Sequence, residues 1–599
     1  MTSLLITQCL QNDFVKPINP GEPLPNMLHV GHEESRRLIG DTPETSPIKR
    51  FMEWASNEVE LFTVHIRDWH DPTDPIQANH LEQFGPHCIK DTEGAAFIFP
   101  TDGKTNPTIV DSTTLNDFED TTLAEALSAY KNNPIRVGLI GVWTEAKILF
   151  LAYELSTRYP NFELAVCSAL TASSSRSQHF LALQQLDRIV GVTVIDSIGE
   201  FVQFLGGEET PTQHRNFNQS LDISWDADIN LDEETDQLIR YLFRDCQSIK
   251  LKVLDGGFSG NLVAGVNSTD AHGHTQTPHV IKIGPRAEMA KERTAFEQIE
   301  RVLGNNAPAI AEYADGEAKG AIKYRYASMG SGKTRSLQQC FQSGESIDKL
   351  HSYLDTVFDQ QLGRLYRAAV TEKHDLLDYY CFDSQWADSI KRKIEALIGE
   401  CPDSGLLTLP GGIQASNLYQ FYKEGLDQLP PMVGDYPIAF VHGDLNGANV
   451  IIDERDNVWL IDFFHTHRGH ALKDFAKLEN DLLYIYTPIE SDEALQQAFQ
   501  FTDFLLEQSN PLILPESLPN KFTGTAFEKT YASVKHIREK ARQILDDCGS
   551  DVGVQWWIPQ LRYAVHTIGF DEPNERQRVW ALYTATQLAQ SMLEQVCME

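Results

Sequence analysis

The sequence predicts two folds of different class in succession. An α/β/α domain with a parallel sheet occupies residues 1–205, a linker follows at 206–222, and a bilobal α+β region comes last, with a sheet-rich lobe at 223–330 and a helical lobe at 331–599. Three observations predict this. Over the first 205 residues apolar strand-like runs alternate with helical ones, as in a parallel sheet covered on both faces. The stretch GGEETPTQHRNFNQSLD at 206–222 is polar and turn-rich, a composition shift that marks a linker. Beyond it, strand patterns around glycines give way from Ser336 onward to apolar residues at helical spacing, such as Leu350, Tyr353, Leu354 and Val357.

Composition bounds the function. A chain of 599 residues is too long for one core and needs several domains. Its 41% hydrophobic and 10% aromatic content is that of a globular protein. Acidic residues outnumber basic ones by 85 to 50, a net charge of -35, which argues against nucleic acid or an anionic membrane as the main partner while leaving room for a local phosphate pocket. Nine cysteines without a C-x-x-C pair suit free thiols in a reducing compartment, so a cytoplasmic location is expected. The start MTSLLITQCLQNDF lacks the basic region of a signal peptide. The longest apolar region, Val137 to Tyr153, is interrupted by Glu145 and Lys147, so no transmembrane helix is expected.

In the first domain the expected strands are Leu4–Ile6, Leu61–Ile66, Ile135–Val142, Leu164–Val166 and Val192–Ile195, with helices at Thr122–Tyr130, Thr144–Thr157 and Ser177–Leu186. The segments LLITQCLQNDF, RDWHDP, FGPHC, GVWTEAKILFLAYE and VTVID, in this order, resemble the isochorismatase-like (cysteine hydrolase) family, which includes nicotinamidases. The resemblance implies an Asp after the first strand, a Lys after a middle strand and a nucleophilic Cys opening the helix after Gly-Val-x-Thr. At those positions stand Cys9, Ser112 and Lys147. A lysine in place of the thiolate removes covalent catalysis by the family mechanism, so a degenerate domain that binds the rest of the chain or a partner protein is expected. Lys147 needs a counter-ion, for which Asp13 and Glu145 are the candidates, and the old pocket is expected to be closed or anion-binding. A Cys9–Lys147 dyad of inverted order is one alternative. Asp68, His70 and His87, with His80 as a further ligand, retain the residue types that the family uses for a metal.

After an acidic helical segment at Asp232–Asp245, IKLKVLDGGFSGNLVAGVN reads as strand, glycine turn and strand, and His279–Ile283 as a further strand. Gly256, Gly257 and Gly260 let backbone approach phosphate oxygens, and Lys282 in the following strand reaches the same oxygens. The GSGKT at Gly330–Thr334 is no P-loop, because Ala327 stands where the pattern needs glycine. The stretch VHGDLNGANVIIDERDNVWLIDFF, from Val441 to Phe464, is a catalytic turn followed by two short strands, Val450–Ile452 and Val458–Ile461. Closing that hairpin gathers Asp444, Asn449 and Asp462 at one edge, a set of oxygens suited to magnesium and a phosphate chain.

His-x-Asp-x-x-x-x-Asn followed by an apolar strand and Asp-Phe resembles the protein-kinase-like superfamily, in particular its aminoglycoside phosphotransferase and choline kinase branch. The resemblance implies that Asp444 accepts a proton from the attacking hydroxyl and that Asn449 and Asp462 hold Mg2+. It further implies that Lys282 binds the ATP phosphates, paired with Glu292 (or else Glu288 or Glu297), and that the backbone around Tyr326 meets adenine. No segment ending in Ala-Pro-Glu follows Asp462, which favours a small-molecule acceptor over a protein. The combination is also similar to the ternary complex associated domains, bacterial kinase-like domains thought to act in multi-component systems. Three functions are therefore carried forward: an ATP- and magnesium-dependent phosphotransferase acting on a hydroxyl, a silent nucleotide-sensing scaffold, and a nucleotidyltransferase. His465, His467 and His470 read as a polar loop beside the acceptor pocket rather than a metal cluster, and Trp556, Trp557 and Trp580 as core or interface anchors.

Overall fold

Every residue of Ser3–Gln8 is buried, and this run is β1. Successive side chains of a strand point to opposite faces, so Leu5 joins one apolar core, with Ile140 and Phe201, while Leu4 and Ile6 join another, with Val137 and Leu151. A strand buried on both faces needs neighbours on both edges. With β2 (Leu61–Asp68), β3 (Thr108–Ser112), β4 (Ile135–Val142), β5 (Phe162–Ala172) and β6 (Thr193–Ile195) it forms an all-parallel sheet in the order β3-β2-β1-β4-β5-β6. The strand order changes direction between β1 and β4, which opens a crevice at their carboxyl ends. Cys9, Asp68, Ser112 and Trp143 lie at or just past the carboxyl ends of β1 to β4.

The computed structural model describes residues 2–19, 21–40, 46–101, 107–208, 217–226, 229–254, 261–303, 308–325, 334–508, 510–548 and 553–596. Two compact units divide the chain: Met1–Gln298 with Ala309–Arg325, and Ile299–Pro308 with Tyr326–Glu599. Several elements of the first unit differ from expectation. β3 is short and polar, and it becomes a strand through its pairing with β2. The helix Pro47–Asn57 was not foreseen, although it has Pro47 in its first turn and Ser46 Oγ accepting from Lys49 N at 3.2 Å. The helix expected over Thr122–Tyr130 is two short turns, Leu123–Ala126 and Ser128–Tyr130. That expected over Thr144–Thr157 opens with a wide turn, Thr144–Ile148, before Leu149–Arg158.

The same unit holds a second sheet of β7 (Asp222–Trp225), β8 (Cys246–Val253), β9 (Leu262–Asp270), β10 (His279–Pro285), β11 (Ala309–Asp315) and β12 (Lys319–Arg325), in the order β11-β12-β10-β9-β8-β7. All its pairings are antiparallel except β7 with β8. The helix Glu233–Leu242 starts at Asp232, which accepts from Thr235 N at 3.0 Å, and buries Leu238, Ile239 and Leu242 in one cluster with Ile249, Leu251 and Ile281. The helix Arg286–Leu303 follows β10 directly. Gly256, Gly257, Gly260 and Tyr326 lie outside the described residues, as does Gly330–Lys333 of GSGKT.

The second unit is mostly helical, around three small sheets. Its strands are β13 (Arg335–Ser336), β14 (Val370–Asp375), β15 (Leu407–Leu409), β16 (Ile413–Ala415), β17 (Val433–Val441), β18 (Val450–Ile452), β19 (Val458–Leu460) and β20 (His467–His470), paired as β13-β18-β19, β14-β17-β20 and β15-β16. The helices Ala526–Cys548, Gly553–Thr567 and Glu575–Val596 pack around Tyr531, Leu561 and Trp580. Trp556 and Trp580 are fully buried, and Trp557 packs against the core from its edge. Among the described residues no helix is long and apolar enough to cross a membrane.

Candidate functional site

In the second unit β17 delivers the chain into a loop that is held from behind. His442 N and Gly443 N donate to the two oxygens of buried Asp474, at 2.7 and 2.8 Å, and Tyr366 Oη donates to the same carboxylate at 2.8 Å. Gly443 has φ 86°, and a Cβ there would lie 2.0 Å from His465 O, so only glycine passes this turn. His442 Nε2 donates to Ile461 O at 3.0 Å, which ties the loop to the end of the second hairpin strand. Asn446 Nδ2 donates to Asp444 Oδ2 at 3.2 Å, while Asn446 Oδ1 accepts from Ala448 N and Asn449 N at 3.0 Å each. Asn449 Nδ2 donates to Asp444 O at 3.0 Å, and Ile461 N to Asn449 O at 3.0 Å. Asp444, Asn449 and Asp462 thus share one hydrogen-bonded scaffold, with Asp462 in the left-handed region at φ 65° just past β19. With its amide nitrogen committed to Asp444 O, Asn449 is left with Oδ1 to offer a cation, and Asp462 adds a carboxylate, so the donor set is the hard oxygen type that suits Mg2+.

An acidic surround lies behind Asp444. Lys477 Nζ donates to both oxygens of Asp481, at 2.8 and 3.0 Å, and both residues are buried. Burial and then the charge of Asp444 push Asp481 up to about 6 against the pull of Lys477. His467 Nδ1 donates to His465 O at 2.7 Å and its Nε2 accepts from Tyr379 Oη at 2.9 Å, while His470 Nδ1 meets Tyr380 Oη at 2.9 Å. Those two histidines order tyrosines around the loop.

In the first unit Lys282 on β10 meets Glu292 of the 286–303 helix at 2.7 Å, with both side chains almost fully buried. Tyr324 Oη donates to the other oxygen of Glu292 at 3.0 Å. Glu292, rather than Glu288 or Glu297, is therefore the carboxylate on Lys282; Glu297 pairs elsewhere, with Arg176.

The crevice of the parallel sheet is an open cavity of about 510 Å³, lined by Phe14, Phe84, Leu115 and Trp143 with Asp68 and Lys147 among the polar groups. This corrects the expectation of a closed pocket. The counter-ions also differ from expectation. Lys147 Nζ lies 2.9 Å from Asp68 Oδ1 and 2.9 Å from Asp117 Oδ1, and donates to Ser112 Oγ at 3.1 Å and Thr114 O at 2.6 Å. Asp13 instead accepts from Cys88 N, and Glu145 from Ser174. Burial opposes the charge on Lys147, but the two carboxylates outweigh it and raise its pKa. Burial likewise works against Asp68, and Lys147 and His70 overcome it and hold that carboxyl below the usual range. Two carboxylates around one ammonium disfavour an anion here. Cys9 Sγ donates to Asp68 Oδ1 at 3.4 Å, and burial together with Asp68 drives its thiol well up, the opposite of an activated thiolate.

Beside this cavity His70, His80 and His87 place one ligand atom each within 4.8 Å of one another. Gln77 Oε1 holds His70 Nδ1 at 3.0 Å and Gly85 O holds His87 Nδ1 at 2.7 Å, which turns the Nε2 atoms inward. His70 Nε2 is buried without a hydrogen-bond partner and lies 3.7 Å from Asp68 Oδ2. Burial holds His80 and His87 below the ordinary imidazole range, in the neutral form that binds metal. Three imidazoles and a carboxylate fit a divalent transition metal, which would polarise a carbonyl or a bound water.

The family described as ternary complex associated domain 9 matches residues 246–400 and 395–569, more than half of the chain. The chain belongs to this family. Lys282, Glu292, Asp444, Asn449, Asp462 and the supporting Asp474 all fall inside the ternary complex associated domain 9 match. The isochorismatase domain matches residues 3–198, which contain Cys9, Asp68, the three histidines and Lys147. Solved structures similar to the chain include an isochorismatase-like hydrolase from Alkaliphilus metalliredigens, 23% identical, covering 34% of this chain and 98% of that one with a TM-score of 0.27. They also include the nicotinamidase/pyrazinamidase from Bacillus subtilis, 23% identical over 32% of this chain and 99% of that one with a TM-score of 0.26. A third is the pyrazinamidase of Pyrococcus horikoshii in complex with zinc, 24% identical over 33% of this chain and 99% of that one with a TM-score of 0.25. No curated protein matches the chain.

Sequence reasoning missed Asp117 and Asn446, neither of which carries a motif of its own. An acidic residue in the first turn of a helix shortly after an Asp-Phe is the signal that could have marked Asp474, since its carboxylate can reach backward to free backbone N–H groups.

Proposed function

We propose that residues 223–599 form a bilobal, kinase-like phosphotransferase that uses ATP and Mg2+ to phosphorylate a hydroxyl group of a small molecule, and that the isochorismatase-like domain is a non-hydrolytic binding or regulatory module. The observation that carries this reading is the 442–462 loop, in which Asp474 clamps two backbone N–H groups while Asn449 is bonded to Asp444 O and to Ile461 N. A preorganised carboxylate of this kind suits a reaction that is mostly positioning and electrostatics. Asp444 takes the hydroxyl proton; Asn449 and Asp462 offer oxygens to the cation. The bound magnesium nucleotide supplies charge neutralisation on the transferring phosphoryl group. Lys282, held by Glu292, binds phosphate oxygens, together with the backbone at Gly256, Gly257 and Gly260, and backbone near Tyr326 binds adenine. The net charge of -35 supports a small acceptor rather than nucleic acid or an anionic membrane. A buried Lys147 saturated by two carboxylates supports the absence of family-type hydrolysis.

The test is turnover against binding. Asp444→Ala is expected to keep nucleotide and lose about 10²- to 10⁴-fold in rate, and Asn449→Ala with Asp462→Ala to abolish magnesium-dependent ATP binding. Intact-mass analysis of acceptors separates phosphoryl transfer, which adds roughly 80 Da, from nucleotidyl transfer, which adds a nucleotide. MgATP binding with no mass change on any acceptor would replace the reading with a nucleotide-sensing scaffold.

A further inference from the structure

The 286–303 helix has two working faces. Met289, Glu292 and Phe296, at helical spacing, face the second sheet: Met289 is tight against Gly320, Glu292 pairs with Lys282, and the Phe296 ring meets Tyr324 edge-on at 5.4 Å. Arg286, Arg293, Thr294 and Glu297 lie on the adjoining face, and there the helix meets the isochorismatase-like domain. Glu297 forms an ion pair with Arg176 at the start of the helix Arg176–Gln185. Arg176 also approaches Glu34 at 3.5 Å, and Glu34 is held by Arg37 at 2.9 Å. Arg293 stacks on Tyr313 at 4.0 Å and donates to Asp196 O at 3.4 Å. The Asp196 side chain takes hydrogen bonds from Ser168 and Thr294. The guanidinium of Arg286 lies against Gly199, where an added Cβ would come within 2.1 Å of it.

These charges are largely withdrawn from water: the side chains of Glu34, Arg37, Arg176, Arg293 and Glu297 are all 15% exposed or less. Buried ion pairs are sensitive to geometry and lose much when one partner is removed, so they transmit position rather than merely add stability. One of the elements that grip the helix, Arg176–Gln185, is also tied to the wall of the 510 Å³ cavity. His179, three residues after Arg176, shares a hydrogen bond of 2.9 Å with Thr144, the residue next to Trp143 in the cavity wall.

We infer that the isochorismatase-like domain serves as a built-in clamp on the 286–303 helix, with Arg176 and Asp196 as positioning residues for the Lys282–Glu292 pair. The effect on nucleotide binding rests on the phosphotransferase reading; the clamp on the helix does not. Loss of the hydrolase nucleophile leaves this mechanical role untouched, because none of the gripping residues is among Cys9, Ser112 and Lys147.

The full chain is compared with Arg176→Ala, Glu297→Gln, Thr294→Val and the double variant Arg176→Ala with Glu297→Gln. Amide hydrogen exchange over residues 286–298 and the Kd for MgATP are the readouts. Arg176→Ala and Glu297→Gln are expected to speed exchange in 286–298 with β1 and β4 unchanged, and to weaken MgATP binding by about 2- to 30-fold. The double variant is expected to bind MgATP within about threefold of Arg176→Ala alone, because the second change removes a partner already lost, whereas independent losses of stability would add. If Arg176→Ala fails to fold, Thr294→Val and Glu297→Gln carry the same comparison with milder perturbations. Wild-type exchange in 286–298 in Glu297→Gln and Thr294→Val would overturn the clamp. A wild-type chain that binds no MgATP would defeat the phosphotransferase reading, and the exchange data would still decide the clamp.

Discussion

Replacing Lys147 by methionine keeps the volume and the apolar stem but removes the ammonium that lies 2.9 Å from both Asp68 and Asp117. Two carboxylates with side-chain exposures of 9% and 0% are then left facing one another without a cation. Breaking a buried pair from one side costs about 3–5 kcal/mol. For a domain of this size each kcal/mol moves the unfolding midpoint by roughly 2–4 °C, so Lys147→Met is expected to lower the transition of the first unit by about 6–20 °C at pH 7.5. A chain of several domains does not unfold in one step, so calorimetry is paired with amide exchange in β1 and β4. The deficit depends on both carboxylates being ionised. It is present in full above the raised pKa values of the orphaned pair and shrinks as the pH falls toward 4, where both take up protons. Adding Asp68→Asn and Asp117→Asn to Lys147→Met removes the buried charge and is expected to recover most of the loss. A variant within about 1 kcal/mol of wild type at pH 7.5, or a deficit unchanged at pH 4.5, would refute the account of the pocket floor as a charge triad.

Two further predictions concern the histidines of the first unit. Protein stripped with chelator and titrated with Zn2+ is expected to take up about one equivalent at His70, His80 and His87, read by metal analysis, with His70→Ala abolishing uptake. Gln77→Ala, which frees His70 Nδ1, is expected to weaken binding about 10- to 100-fold. Burial pulls His65 and His279 down to about 4, so the folded unit favours their neutral forms. The stability they contribute is complete above the unfolded value near 6.5 and is lost as the pH falls through the folded value. Each is worth up to about 3 kcal/mol. Denaturant unfolding of the first unit is expected to steepen in pH dependence over that window, and His65→Gln to flatten it.

The sequence by itself determined what local pattern can carry. Continuous apolar runs set β1, β2, β4 and β5 in a parallel sheet, ordered motifs identified the isochorismatase-like domain, and the similarity to ternary complex associated domains agrees with the family to which the chain belongs. The hairpin of β18 and β19 was legible because two apolar triplets flank a charged turn. Strands that are short and polar, such as β3, or that find their partner far along the chain, as β14 does with β17, were not legible, because pairing rather than periodicity makes them strands. The tertiary structure alone decided which charges meet. Lys147 passes over Asp13 and Glu145 for Asp68 and Asp117, and Glu297 turns to Arg176 while Glu292 takes Lys282. Ion pairs follow distance and desolvation in the folded chain, and neither is written in residue spacing. The cavity stayed open for the same reason: its walls are set by aromatic side chains far apart in sequence, Phe14, Phe84 and Trp143.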